Sequence, residues 1–220
     1  MRRAQAASGA RQQGRGSRTK EESRQHLLDT AERLLADHGL EGVSLRQIGA
    51  AAGEANNSVI QYHFGDKAGL IAAIIGRRIA SFEARREILL AEAMGRETDI
   101  ASLLKVLLLP LAETEDAYGR HTYARFMMQF LVNFQYQEGI HHPGWGPQSA
   151  ATRAVTLLGD KLPLLSKRGL GERINWVGML FLSALVERDN ARGNGKPVEK
   201  EKIFIEDVFN AMSAVMQARI

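Results

Sequence analysis

The sequence predicts an all-α fold in two parts, a small three-helix unit at the N-terminus followed by a larger helical one. Three observations lead there. Apolar residues return every three or four positions through most of the chain, the spacing of a helix face. Polar residues with capping-box spacing stand in front of the first of these stripes. No alternating strand pattern and no internal repeat competes with them.

Residues 1–18 are expected to stay outside the fold as a disordered basic tail, because Arg, Gly, Ser, Gln and Ala offer too little apolar surface to bury. Folded structure should begin at Thr19, which with Glu22 has capping-box spacing. Leu27, Leu28, Ala31, Leu34 and Leu35 then form one stripe, and Gly39 supplies the stop. Ser44 with Gln47 opens a short second helix, with Leu45, Ile48 and Ala52 inward, Arg46 outward and Gly53 at its end. A very short third helix runs from about Asn57 to His63, with Val59 or Ile60 and Phe64 as its inward residues. Asp66 caps a long fourth helix whose stripe includes Leu70, Ile74, Ile75 and Ile79. The first unit is thus expected to span 19–65 and the second 66–220, the helix from 66 linking the two.

In the larger unit, helices are expected near Ile100–Asp116, Gly119–Gln137, Gln148–Ser166, Glu172–Arg192 and Glu199–Arg219. Breakers such as "EGIHHPGWGP" and "RGNGKP" separate them.

Composition excludes several classes. The 220 residues contain no cysteine, so a disulfide framework and a thiolate metal site are both ruled out. No apolar run reaches the roughly 20 residues that cross a bilayer, so a cytoplasmic protein without membrane contact is expected. Of the net charge of +4, the first 20 residues carry five Arg and one Lys without any Asp or Glu, leaving the remainder slightly acidic. His121, His141 and His142 lack a third ligand at a metal spacing. With no phosphate-cradling Gly loop and no nucleophile motif either, neither an enzyme nor a bound cofactor is expected.

Two short helices joined by a turn of small residues and braced by a longer first helix make a helix-turn-helix, whose second member can enter a DNA major groove. The polar cluster at Asn57 and Ser58, followed by Gln61, has the side chains to reach base edges, where Asn and Gln suit adenine. Tyr62, His63 and Lys67 sit farther along, at positions suited to phosphates. The stretches "LLDTAERLLADHGLEGVSLRQIGAAAG" and "YHFGDKAGLI" within residues 19–75 resemble the DNA-binding domain of the tetracycline-repressor (TetR) family. That resemblance implies base-facing places for Arg46, Ser58, Gln61 and Tyr62 and backbone-facing ones for Ser44, His63 and Lys67. It implies a homodimer that binds a palindromic operator in double-stranded DNA, most often as a repressor released by a small effector. The chain departs from the family pattern in two ways: it is one residue longer between Gly53 and Phe64, and Gln61 stands where Tyr is usual. Glu54, in that segment, would be unfavourable beside phosphate unless it turned away.

In the larger unit, Tyr123, Phe126, Met127, Phe130 and Phe134 form a stripe that by itself reads first as plain core. The resemblance implies an effector pocket there, suited to an apolar or amphipathic molecule. The segment from Trp176 to Val186 is apolar on nearly every side, which calls for burial all round. Together with the last helix it implies a dimer interface that draws on Trp176, Leu180, Ala184, Phe204, Val208, Phe209 and Met212. An alternative stays open: a helical small-molecule-binding protein without sequence-specific DNA binding.

Overall fold

The computed structural model describes residues 19–54, 58–95, 98–134 and 146–219. Within them every regular element is an α-helix. The first four are α1 (Lys20–His38), α2 (Leu45–Ala51), α3 (Ser58–Phe64) and α4 (Lys67–Met94). They are followed by α5 (Ile100–Ala112), α6 (Thr122–Phe134), α7 (Ala150–Lys161), α8 (Lys167–Gly193) and α9 (Glu201–Gln217).

Local chemistry sets the starts. Both expected capping boxes form: the Thr19 side chain accepts from the Glu22 N–H at 3.2 Å, and Ser44 from the Gln47 N–H at 3.3 Å. The reciprocal bonds run from the Thr19 N–H to Glu22 and from the Ser44 N–H to Gln47, each at 2.8 Å. Asp66 caps α4 by accepting from the Gly69 N–H at 2.8 Å. Caps of this kind contribute about 1 kcal/mol each.

The ends differ more from expectation. Helix α5 stops at Ala112 rather than Asp116, with Pro110 inside its last turn, and the chain turns back through Gly119, at φ +69°. Thr114 and Arg86 donate to the nearby carbonyls of Pro110 and Leu107. Ser166, expected at the close of one helix, is instead the N-cap of the next, accepting from the Gly169 N–H at 3.1 Å. Helix α8 therefore begins before the expected Glu172, and α7 ends at Lys161.

One continuous apolar core runs from Leu27 to Met216. Helix α1 lies against α2, α4 and, most extensively, α6, so the small N-terminal unit rests directly on the larger one. Helix α5 sits centrally among α4, α7, α8 and α9, and α8 lies against α6 and α9. At 28 residues, α4 is about 42 Å long and belongs to both units. Its Arg77 and Arg78 grip Glu32 of α1, a carboxylate only 4% exposed. Arg78 lies 2.8 Å from it, and Arg77 also holds Asp29 at 2.6 Å.

No described helix is long and apolar enough to cross a membrane. The tail 1–18, the breaker carrying His141 and His142, Asn57, and the side chains of Ser58 and Phe134 lie outside the described residues.

Candidate nucleic-acid interface

Ile48 from α2 and Ile60 and Phe64 from α3 are buried in the core, which resolves the choice at Val59 or Ile60 in favour of Ile60. That anchoring leaves the polar positions outward. Arg46 and Gln61 are exposed, Tyr62 is 71% exposed, and His63 and Lys67 are half-buried. Ser44 is also exposed, but its hydroxyl is already held by Gln47, whose Oε1 lies 2.8 Å away, so it serves the helix end first.

Three contacts across the head are not legible locally. The Lys20 ammonium, at the first position of α1, donates to the Tyr62 hydroxyl at 2.8 Å and lies 4.7 Å from its ring centroid. That hydrogen bond, and then the lysine charge, lower the Tyr62 pKa. Arg24 stands over the Phe64 ring at 5.5 Å. The Ser23 hydroxyl donates to Glu54 at 2.8 Å, so the carboxylate that would repel phosphate is engaged by α1.

The turn after α3 is built on close approach. Gly65 takes φ +74°, and its N–H donates to the Gln61 carbonyl at 2.9 Å. Gly69, one turn into α4, faces the end of α3 so closely that a Cβ there would stand 2.0 Å from the Phe64 carbonyl oxygen. Only glycine permits α3 to sit where it does. The sequence marks this position merely as a Gly within an otherwise good helix.

Farther from the head, the structure brings Tyr123, Phe126, Met127 and Phe130 together as a packed row. Ring centroids run from Phe82 to Tyr123 at 5.6 Å, to Phe126 at 6.0 Å and to Phe130 at 6.5 Å. The Arg78 guanidinium covers Tyr123 at 4.5 Å. Tyr123, Phe126 and Met127 are buried as core, and burial pushes the Tyr123 hydroxyl well above its ordinary pKa. A cleft of about 320 Å³ opens elsewhere, between Asp37 at the end of α1, Arg120, Thr122 and Arg125 at the start of α6, and Asp189, Asn190 and Asn194 near the end of α8. His121 underlies it. Its Nδ1 lies 2.9 Å from Asp189 and its Nε2 3.0 Å from the Ala112 carbonyl. Burial draws its pKa down, but the Asp189 hydrogen bond and charge, the Ala112 carbonyl and Glu115 outweigh burial and raise it.

The expected interface residues divide. Trp176 is 58% exposed and Leu180 36%, with Ala184 and Phe204 half-buried. Val208, Phe209 and Met212 are instead buried within the subunit, Phe209 against Phe181 at 5.1 Å. Those three belong to the core of one chain, because the inner stripe of α9 faces α5 and α8. The all-round apolar character of α8 is likewise only partly satisfied internally: Val177, Phe181, Leu182 and Leu185 point in, and Trp176 and Leu180 stay out. Among the described residues, no group of three or more His, Cys, Asp or Glu could hold a metal ion.

Fold and site together define a helix-turn-helix head seated on a helical body. Residues 27–74 match the family model described as "Bacterial regulatory proteins, tetR family", so the head is similar to the N-terminal unit of that family. A curated relative, the HTH-type transcriptional repressor AcnR of Corynebacterium glutamicum, is 40% identical over 52 residues, 24% of this chain and 27% of that protein. The AcnR of Corynebacterium efficiens matches to the same extent. The chain thus spans about a quarter of the length of the curated relatives it matches. Among solved structures, a TetR-family regulator from Pectobacterium atrosepticum aligns over 89% of this chain and 93% of its own, at 18% identity and a TM-score of 0.41. A protein from Mesorhizobium loti assigned to the same family aligns over 91% and 97%, at 13% identity and a TM-score of 0.44.

Proposed function

We propose that the protein is a homodimeric transcription regulator that binds a palindromic operator through α3 and is released by a small molecule bound in its body. One observation carries this reading. Inside a segment matched to a DNA-binding family, Arg46, Gln61 and Tyr62 project to solvent while the apolar partners on the same two helices are buried. Gln61 and Tyr62 would read base edges and Arg46 would reach a base or phosphate. His63 and Lys67 would hold the backbone, fixing register without reading sequence.

Repression is the sense favoured by the relatives' description as repressors. Dimerisation would use the outward side of α8, led by Trp176 and Leu180, together with Phe204 of α9. B-DNA presents equivalent groove faces about 34 Å apart, so a ligand that alters the separation of the two heads disengages one of them. The path is short, since α4 runs from the reading head into the body and Arg78 joins Glu32 of α1 to Tyr123 of α6.

The test is binding of the full chain to duplex DNA from the region flanking its own gene, against random duplex of equal length. Preference for the flanking DNA, weakened in Arg46→Ala and Gln61→Ala, is the expected result. Equal binding of both duplexes by the unaltered protein would defeat the reading.

A further inference from the structure

We propose that the hollow between the α7–α8 turn and the end of α9 binds an amphipathic carboxylate, an acidic head on an apolar chain, with Arg173 taking the head. The inference concerns the helical body alone and is tested without DNA, so it stands or falls apart from the operator reading.

Local chemistry makes the hollow. Helix α7 ends at Lys161, the Leu162 N–H closes back on the Gly159 carbonyl at 3.1 Å, and the Leu165 N–H closes on the Leu162 carbonyl at 2.9 Å. Pro163 lies between them and cannot continue a helix, and Ser166 at once caps α8. So tight a turn leaves Leu164 at its apex, 92% exposed. Helix α9 stops at Gln217, and the segment through Ala218 and Arg219 forms the opposite wall. The space between is about 660 Å³, inside the range of about 300–1,000 Å³ usual for small-molecule sites.

The lining selects the ligand. Leu162, Leu164, Leu165 and Met216 give it an apolar side, and its charges are Lys161, Arg173 and Arg219, without any Asp or Glu. Arg173 is the central one, only 8% exposed and with no carboxylate paired to it among the described residues. The neighbouring Glu172 turns instead to Arg168 at 2.8 Å. One nitrogen of Arg173 is spent: Nη1 donates to the Met216 carbonyl at 2.6 Å and so covers the end of α9. Nε and Nη2 have no hydrogen-bond partner among the described residues and are not sealed off. They form the edge on which a guanidinium takes a carboxylate through two parallel bonds. Arg85 holds Glu113 by the same two atoms, at 2.8 and 2.7 Å. A buried charge without a counter-charge is costly; a carboxylate in the hollow supplies one, and its apolar chain covers Leu164. A bilayer fits less well. It needs a broad protruding apolar face, whereas here Leu162 and Leu165 are half-buried and Met216 is buried.

The experiment titrates the unaltered full-length protein calorimetrically with decanoate, decanol and decyltrimethylammonium, one apolar chain carrying a negative, a neutral and a positive head. Decanoate should bind saturably and more tightly than the other two. Arg173→Met should weaken it roughly 10- to 150-fold, the worth of hydrogen bonds to a charged group. That change also uncaps α9, so variants at exposed positions accompany it, with thermal melts to check their fold. Leu164→Glu should weaken decanoate about tenfold or more, through lost apolar cover and like-charge repulsion. Lys161→Gln with Arg219→Gln should weaken it several-fold, most at low salt. Absence of saturable decanoate binding overturns the proposal, as does binding that is indifferent to the charge of the head or unchanged in Leu164→Glu. Phosphatidylglycerol vesicles bound where decanoate is not would assign the face to a bilayer. A Leu164→Glu monomer, from an unaltered dimer that ignores decanoate, would assign it to a second copy. Either result overturns the proposal as well.

Discussion

Changing Gly69 to Ala adds one methyl group, and the structure states what it meets. The new Cβ would lie 2.0 Å from the Phe64 carbonyl oxygen and 3.2 Å from its carbon. Even close C–H···O contacts need about 3.3–3.6 Å, so the end of α3 and the start of α4 must part by roughly 1.3 Å. Overpacking of that kind costs about 1–3 kcal/mol. In a chain of this size that lowers Tm by about 2–12 °C. The larger effect falls on function. Helix α3 is about 10 Å long, and displacing its end by more than 1 Å takes a base contact beyond hydrogen-bonding range. A well-made contact is worth about 1–3 kcal/mol, so affinity for preferred DNA should drop roughly 5- to 150-fold. Gly76→Ala is the control, on the same helix with nothing within 4 Å of the added Cβ. It should bind DNA normally and be slightly more stable. Anisotropy and thermal melts on the two variants measure both effects. A Gly69→Ala protein that melts and binds as the unaltered one does would refute the close-approach argument.

Four other outcomes are expected. Gln61→Ala should relax sequence preference, whereas Lys67→Ala should weaken all duplexes alike and flatten the salt slope by about one unit; competition binding separates them. Glu32→Ala removes the buried carboxylate shared by Arg77 and Arg78, leaving Arg77 with only the exposed Asp29, and should lower stability by about 3 kcal/mol in urea titration. Loss of Asp29, the exposed partner of Arg77, should cost under about 1 kcal/mol. Trp176→Glu should leave a folded monomer in sedimentation, while Phe209→Glu, at a fully buried site, should fail to fold. His121 has a folded pKa raised above 6.5, so its contribution is complete below that pH and declines as pH rises through the raised value. Urea midpoints of the unaltered protein should therefore fall above about pH 6.5 more steeply than those of His121→Ala.

Short-range chemistry makes the head legible. Thr19, Ser44 and Asp66 each announce a helix start through a partner three residues away, and all three caps form. The outward turn of Arg46 and Gln61 follows from the apolar spacing around them. What stays hidden depends on separation in sequence: Lys20 meets Tyr62 across 42 residues, and Ser23 meets Glu54 across 31. Helix α9 shows the limit of a periodic pattern, which locates an apolar stripe without saying what covers it. Phe209 and Met212 read in sequence as a surface for a second copy, yet α5 and α8 of the same chain bury them. The joint built on Glu32, Arg77, Arg78 and Tyr123 likewise draws on three helices, and each residue alone looks like an ordinary surface charge or core aromatic.

The central claim is that two copies of α3 read two half-sites. Selection of binding sequences from a random duplex pool by the unaltered, full-length protein tests it most directly. The account predicts an enriched inverted repeat with half-site centres one helical turn, or a multiple of it, apart. Gln61→Ala should change the preferred bases at symmetric positions in both half-sites and leave their spacing alone. A pool that shows no enriched sequence, or a single unpaired half-site bound by a monomer, would contradict the account.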